Sequence, residues 1–158
     1  MNYARDTKRG LYVIKNPRKY IGSKNPVFKS SWEQKFFFFM DNNRYVVKWG
    51  YECHTIPYFN PIKNAQTIYY PDIFAHVVNT KGEHSNFLIE IKPAQFRVPP
   101  QYPRKATKAS LTRYAKAKIA YQINVAKWQA AEAWCRRHNV KWLILSEAEC
   151  KWFVNKYN

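Results

Sequence analysis

The segment from Thr107 to His138 contains no glycine or proline over 32 residues. Within it, apolar and small residues recur at steps of four and three, which is the spacing of one helix face. The pattern predicts a long helix that turns this face towards a core, built either as one piece or as two. The predicted face consists of Ile119, Ile123, Ala126, Ala130 and Ala133.

Short apolar segments on both sides of this helix alternate with polar turns, and each predicts a strand. One of them is interrupted by Pro71, which implies an edge, a bulge or a bend. A polar, glycine-containing connection at residues 80–85 predicts a hairpin. The predicted strands are 45–49, 54–58, 67–79, 87–93 and 140–145.

Two segments of the form Ser-x-x-Glu predict the starts of two more helices. The segment at Ser30 opens a helix that ends near Asp41, and its run of four phenylalanines predicts a segment buried on both sides. The segment at Ser146 opens a last helix. The order is helix, strands with a long hairpin, long helix, strand and helix, which predicts an α/β fold with a mixed sheet flanked by helices.

The charge of the chain is strongly unbalanced, with 27 lysines and arginines against 10 aspartates and glutamates and a net charge of +17. Such an excess favours polyanionic partners, nucleic acid first, although a merely soluble basic protein is the alternative. Residues 1–29 are predicted to form a basic arm that either contacts nucleic acid or is a solvated tail. Residues 30–158 are predicted to form a single domain.

Other classes of protein are disfavoured. No segment is long and apolar enough for a membrane helix. The three cysteines are far apart and form no Cys-x-x-Cys pair, so neither a zinc site nor a disulfide framework is indicated. We therefore expect no membrane partner and a reducing, cytoplasmic setting.

Acids within apolar segments of so basic a chain need an explanation, because each one weakens its attraction for phosphate. Asp72 follows the bend at Pro71, and Glu90 lies on the strand that returns across the hairpin. Counting back from the connection pairs Glu90 with about Ala75, and a bulge at Pro71 would bring the two acids to one end of the sheet. Two carboxylates placed there repel each other unless a cation lies between them.

Carboxylate oxygens are typical ligands of hard divalent ions. Asp72 and Glu90 therefore predict a site for Mg²⁺, with Mn²⁺ as the other candidate, and a structural ion pair with Lys92 or an arginine is the alternative. Lys92 lies on the same strand face as Glu90. There it would act on an attacking water or neutralise charge on phosphorus, or simply contact phosphate. His76, four residues after Asp72, is a candidate neighbour of the site.

The dipeptide Pro71-Asp72 followed by Glu90-Ile91-Lys92 resembles the motif of the PD-(D/E)XK nuclease superfamily. The predicted element order is similar to the αβββαβ core of that superfamily. The resemblance implies a restriction-endonuclease-like core, here with a basic N-terminal arm and a C-terminal helix.

Three longer segments resemble the head completion nucleases of tailed bacteriophages. Ile73 stands where phenylalanine is common in that family, which should preserve an apolar wall. The segments occur in the family's order and are Ser-x-Trp-Glu at 30–33, Trp-x-x-Glu-x-x-x-Ile-Pro-Tyr at 49–58, and Asn-x-x-Lys-Trp-x-Ala-Ala at 124–131.

The resemblance implies a Mg²⁺-dependent DNA endonuclease that acts on packaged phage DNA during head completion, before the tail joins. It implies metal ligation by Asp72, Glu90 and the carbonyl of Ile91, with Lys92 acting on the water. Glu33 occupies the position of an auxiliary acid, although its role in capping the first helix is the alternative.

The implied partners are double-stranded DNA, especially its ends, and portal or neck proteins of the phage. The implied location is the host cytoplasm or the head–tail junction of the virion. Two alternatives remain: a non-catalytic protein that binds DNA ends at that junction, and a restriction- or resolvase-like nuclease of the same superfamily.

Basic residues before and within the long helix are predicted to contact the phosphate backbone. Asn124 and Lys127, one turn apart, would face the cleft, and a solvated helix face is the alternative. The predicted DNA-binding residues are Lys105, Lys108, Arg113, Lys116, Lys118, Asn124 and Lys127.

Overall fold

The computed structural model describes residues 8–156 and contains a mixed sheet between helices. The strands are β1 (Gly10–Leu11), β2 (Val27–Phe28), β3 (Val46–Tyr51), β4 (Ile56–Asn60), β5 (Ala65–Tyr69), β6 (Ile73–Val78), β7 (His84–Ile91) and β8 (Lys141–Leu145), and the helices are α1 (Ser31–Asn42), α2 (Lys108–Arg137) and α3 (Glu147–Lys156). The order α1-β3-β6-β7-α2-β8-α3 confirms the predicted αβββαβ core, with β4 and β5 inserted as a separate hairpin.

The central sheet has four strands in the order β3-β6-β7-β8. The β3–β6 and β6–β7 pairs are antiparallel, whereas β7 and β8 run parallel. A parallel pair needs a long crossover connection, and α2 supplies it. The sheet is therefore mixed, as the sequence predicts.

The hairpin between β6 and β7 has a different register from the predicted one. Ala75 lies opposite Phe87 rather than near Glu90, and Ile73 lies opposite Ile89. The reason is a shorter turn, because the amide of Asn79 already donates to the carbonyl of Glu83 (3.0 Å). Continuing this register by one residue sets Asp72 directly opposite Glu90, so no bulge at Pro71 is needed.

The predicted strand at 67–79 is in fact two strands in different sheets. β5 ends at Tyr69 and pairs with β4, whereas β6 begins at Ile73 and pairs with β3 and β7. Pro71 lies between them, and proline cannot donate to a ladder. The interruption is therefore a change of sheet rather than a bend within one strand.

The two faces of the sheet are covered by different elements. Ile73 and Ile89 point towards α1 and α3, where they meet Phe36 and Phe153 in one apolar cluster. Leu88 points to the opposite face, towards the α2 and β4–β5 side. Since side chains alternate along a strand, Glu90 lies on the same face as Leu88.

In α1, the run of four phenylalanines is not buried throughout. Phe36, Phe37 and Phe39 are buried, but Phe38 is 58% exposed. Consecutive residues point in directions about 100° apart on a helix, so one of four turns away from the core. The prediction of a segment buried on both sides is wrong for Phe38.

The N-terminal segment contributes to the folded core as far as it is described. Tyr12 and Phe28 are buried in the cluster beneath α1, and the amide of Ile21 donates to the carbonyl of Trp49 (2.9 Å). The first residues of the predicted basic arm, 1–7, lie outside the described residues. None of the helices within residues 8–156 is long and apolar enough to cross a membrane.

α2 is one continuous helix of 30 residues, capped at its start by the side chain of Thr107. Ile123, Ala126 and Ala130 pack against the buried cluster formed with β4 and β5, as predicted. Ile119 is exposed, contrary to the predicted core face. The N-terminal part of α2 is mostly exposed, since the apolar face has no sheet to cover there.

Candidate active site

Asp72 and Glu90 come together at one end of the central sheet. Asp72 immediately precedes β6, and its Oδ2 accepts a hydrogen bond from the amide of Ile91 (2.8 Å). The carbonyl of Asp72 accepts from the amide of Glu52 (2.9 Å), just after β3. Backbone groups from two neighbouring strands thus fix the position of Asp72.

Glu90 is buried near the end of β7. Its Oε2 accepts a hydrogen bond from the hydroxyl of Tyr69 (2.6 Å), and its Oε1 lies 3.5 Å from Nζ of Lys92. The amide of Lys92 donates to the carbonyl of Leu145 (2.9 Å), which continues the β7–β8 ladder past the end of the strand. The motif residues therefore form one contiguous site.

The negative charge of this site is poorly compensated. The pKa of Asp72 is raised well above its usual value, first by burial and then by the charge of Glu90. The amide of Ile91 and the ammonium of Lys92 oppose this rise without cancelling it. Burial and Glu90 also raise the pKa of Tyr69, which keeps its hydroxyl protonated as a donor.

A second lysine reaches the site from α2. Nζ of Lys127 lies 5.8 Å from the ring centroid of Tyr58 and 5.5 Å from that of Tyr69. Burial lowers the pKa of Lys127, and the charges of Glu90 and Asp72 oppose that effect. The half-buried Asn124 lies one turn earlier on the helix. The structure therefore brings Lys127 towards the carboxylates, away from the exposed part of α2.

Glu33 caps α1, and its carboxylate also interacts electrostatically with Lys92 and Asp72. The hydroxyl of Ser30 accepts from the amide of Glu33 (3.2 Å), while the Glu33 carboxylate accepts from the amide of Lys29 (2.6 Å). Burial raises the pKa of Glu33, opposed by the Lys29 amide and by charges that include Lys92. Glu33 in turn raises the pKa of Asp72. Its carboxylate is thus near the site but already holds a backbone donor.

Only oxygen donors are available for a cation here. Nowhere in residues 8–156 do three or more His, Cys, Asp or Glu side chains form a group able to hold a metal. The protein could offer the carboxylates of Asp72 and Glu90 and the nearby carbonyl of Ile91. Mg²⁺ commonly takes one or two carboxylates and completes its shell with water and phosphate. A buried, under-compensated carboxylate pair fits such an ion.

The other predicted site residues are placed elsewhere. His76 has its ring nitrogens 2.6 Å from Oδ1 of Asn86 and 2.9 Å from Nδ1 of His84, along the hairpin towards its turn. The basic residues predicted to bind DNA are exposed, along α2 and the loop before it. They are Lys105, Lys108, Arg113, Lys116 and Lys118.

Sequence reasoning missed Tyr58 and Tyr69 as neighbours of the site. They lie diagonally across the β4–β5 hairpin, where Tyr69 is opposite Ile56 and Tyr58 is opposite Thr67. Their hairpin has a local signal, the turn residues Asn60 to Asn64, and Asn64 adopts a left-handed φ of 51°. Taking 67–79 as a single strand concealed that signal. The contact of Tyr69 with Glu90 depends on this pairing and could not be read from spacing alone.

Comparison with known proteins agrees with this arrangement. Residues 43–147 match the family described as TnsA-like endonuclease N terminal, a range that includes the carboxylates and both lysines. The head completion nuclease of Enterobacteria phage T4 is 34% identical over 139 residues, which cover 87% of this chain and 90% of that protein. No solved structure matches significantly. The chain belongs to the head completion nucleases and carries a TnsA-like, PD-(D/E)XK-type endonuclease domain.

Proposed function

We propose that this protein is a metal-dependent DNA endonuclease that hydrolyses phosphodiesters in packaged phage DNA during head completion, before the tail joins. The observation that carries the chemistry is the under-compensated pair Asp72 and Glu90 beside Lys92. The relative named as a phage head completion nuclease supports the biological setting. The protein would act in the host cytoplasm and at the head–tail junction, where portal or neck proteins are its candidate partners.

In this proposal Asp72, Glu90 and the carbonyl of Ile91 hold Mg²⁺ or Mn²⁺. When bound, such an ion polarises the phosphate and makes water a better nucleophile at neutral pH. The hydrogen bonds from Ile91 and Tyr69 fix the two carboxylates before substrate arrives, so little reorganisation is needed. Glu33 tunes the charge of Asp72 and acts as the auxiliary acid.

The lysines act on the substrate. Lys92 orients the attacking water by hydrogen bonding or neutralises charge that develops on the phosphate oxygens. Lys127, whose Nζ lies over the Tyr69 ring, and Asn124 approach the phosphate from α2. The exposed basic residues of α2 hold the backbone of double-stranded DNA by contacts that carry no sequence information.

The test is cleavage of supercoiled plasmid by wild-type protein in Mg²⁺, in Mn²⁺ and in EDTA. We expect nicking with either metal and none in EDTA. The double variant Asp72→Ala/Glu90→Ala should not nick, while the matched surface variant Glu132→Ala, which loses an exposed carboxylate on α2, should nick normally. Equal nicking by the double variant and the wild type would refute the proposal.

A second candidate function is binding of DNA ends at the head–tail junction without turnover. The exposed basic part of α2 favours it, because binding there does not require the carboxylates. Particle assembly with a Lys92→Ala variant that cannot cut decides between the two. Normal assembly would favour end binding, whereas failed assembly would favour cleavage as the essential step.

A further inference from the structure

The loop that follows Lys92 carries large apolar side chains on its surface. Within seven residues, Phe96 is 48% exposed, Val98 55% and Tyr102 63%. Single exposed apolar residues are ordinary on protein surfaces, but a group of them next to a candidate active site is typical of a binding surface. We call residues 94–103 the aromatic loop.

The aromatic loop is held in place by specific contacts. Its first residues form a single 3₁₀ turn in which the amide of Phe96 donates to the carbonyl of Pro93 (2.9 Å). Arg97 forms an ion pair with Glu149 in the first turn of α3 (2.6 Å). At the other end, the ring of Tyr102 meets the ring of Tyr114 edge to face, with centroids 5.3 Å apart.

Proline makes the loop stiffer still. Pro99, Pro100 and Pro103 each fix their own φ and restrict the residue before them. A segment fixed in this way loses little conformational freedom when a ligand binds. Its exposed rings are therefore presented in advance rather than collapsed onto the protein.

In the sequence, the aromatic loop lies between the two parts of the proposed DNA site, the candidate active site and the basic residues of α2. It begins two residues after Lys92 and ends two residues before Lys105, the first of the basic residues predicted to bind DNA. The hydrogen-bonded turn keeps the Cα atoms of Pro93 and Phe96 within about 7 Å, and consecutive Cα atoms are about 3.8 Å apart, so the Cα atom of Phe96 lies within about 11 Å of that of Lys92. DNA that contacts both the carboxylates and the basic part of α2 would run along this loop.

The chemistry of the loop selects nucleobases rather than an apolar protein surface. The exposed rings are followed by Arg104 and Lys105, which suit phosphate, and the aromatic loop itself contains no acid. Aromatic side chains stack on bases, which every nucleotide offers. In a continuous duplex, however, the faces of the bases are covered by their neighbours, so stacking needs a base outside the helix.

We propose that Phe96 and Tyr102 stack on unpaired bases beside the phosphate that is cut, so that the preferred substrate is DNA at a junction of duplex and single strand, such as a splayed end. This inference rests on the proposed endonuclease function, which it makes more specific. An intact duplex without free bases would bind through α2 alone and more weakly.

The test measures binding of the full chain in EDTA, so that no cleavage interferes. Three fluorescent DNAs of equal length are compared: a duplex, a single strand, and a duplex with one splayed end that carries 2-aminopurine. We expect the wild type to prefer the splayed DNA, and Phe96→Ala to weaken that binding about tenfold while changing duplex binding little. The 2-aminopurine signal should change when the wild type binds but not when Phe96→Ala binds.

Phe38→Ala is the matched control, because Phe38 is an equally large exposed ring on α1. It should bind all three DNAs like the wild type, and circular dichroism should show that both variants are folded. Wild-type affinity of Phe96→Ala for the splayed DNA, or an equal loss on all three DNAs, would overturn the stacking role.

The endonuclease proposal and the stacking proposal can be refuted independently of each other. A wild type that prefers the splayed DNA in EDTA but cuts nothing in Mg²⁺ would refute cleavage and leave stacking as a binding function. A wild type that cuts in Mg²⁺ but binds the duplex and the splayed DNA equally would refute stacking and leave cleavage intact.

Discussion

Two buried carboxylate sites in this protein are built in opposite ways. In α1, Oδ2 of Asp41 accepts from the hydroxyl of Tyr12 (2.9 Å) and the amide of Lys15 (2.6 Å), while Oδ1 accepts from the amide of Asn16 (3.2 Å). At the end of the central sheet, the side chain of Asp72 accepts a hydrogen bond from the amide of Ile91 and faces a second carboxylate, that of Glu90.

The comparison separates Asp41, which we infer to be structural, from Asp72, which we propose to be functional. A buried carboxylate with donors on both oxygens ties distant parts of the chain together, here the N-terminal segment and α1. A buried carboxylate that has fewer donors and faces another acid lowers stability, and folded proteins retain such features mainly at functional sites. Asp41 should therefore matter for folding, and Asp72 for activity.

The largest expected effect is at the functional site. Asp72→Asn keeps an oxygen for the Ile91 amide but removes the charge. Plasmid nicking should fall about a thousandfold or more, because the cation loses a charged ligand. The melting temperature in EDTA should stay equal or rise, because repulsion with Glu90 is relieved. A clear loss of stability would mean that Asp72 is structural, like Asp41.

At Asp41 we expect the reverse result, a loss of stability without a loss of nicking. Asp41→Ala leaves the Tyr12 hydroxyl and two amides without their acceptor, which should lower the free energy of unfolding by about 3 kcal/mol. Urea denaturation measures that loss. Nicking per folded molecule should remain at the wild-type level, and a specific loss of nicking at full folding would contradict the assignment.

The proposed functional acids are easier to find in the sequence than the structural one. Asp72 and Glu90 stand out because a charge within an apolar strand is unusual and because the predicted hairpin brings both to one end of the sheet. Asp41 looks like an ordinary helix end, since its donors, Tyr12 to Asn16, lie 25 or more residues away in the chain. Local patterns report secondary structure, whereas hydrogen bonds between distant segments depend on the finished fold.

The wrong predictions near the site have the same cause, because local sequence patterns do not report how distant segments pair. The order of helices and strands follows from periodicity and capping, and it was predictable. The register of the β6–β7 hairpin was not, because the turn closes at Asn79 and Glu83 rather than at the ends of the polar segment. The role of Tyr69 was hidden because its strand pairs with β4 outside the central sheet.

Two tyrosines extend the comparison of the two carboxylate sites, since each donates its hydroxyl to a buried carboxylate. Tyr69→Phe removes the donor to Glu90 and should weaken Mn²⁺ binding about tenfold, because the carboxylate loses its fixed orientation. Tyr12→Phe removes a donor to Asp41 and should lower the free energy of unfolding by about 1 kcal/mol. Calorimetric titration with Mn²⁺ and urea denaturation measure the two quantities.

Tyr58→Phe is the control for Tyr69→Phe. It removes a hydroxyl from the same hairpin, but one that accepts from the side-chain amide of Asn60 (3.4 Å) and contacts no carboxylate. Its Mn²⁺ affinity should equal that of the wild type. If Tyr58→Phe and Tyr69→Phe weaken Mn²⁺ binding equally, the hydroxyl of Tyr69 does not position Glu90.

The smallest expected effect is the pH dependence of stability without metal. A raised pKa means that folded Asp72 holds its proton more tightly than the unfolded chain does. Above the ordinary value of 3.8, the wild type should therefore lose stability as the pH rises through the folded pKa, whereas Asp72→Asn lacks this loss. The melting temperature of Asp72→Asn minus that of the wild type should grow with pH in EDTA.

Added Mn²⁺ should reverse the difference above the folded pKa, because only the wild type has both carboxylates to bind it. A difference independent of pH would show that Asp72 titrates alike in the folded and unfolded chains, and the contrast with Asp41 would then lie in geometry alone.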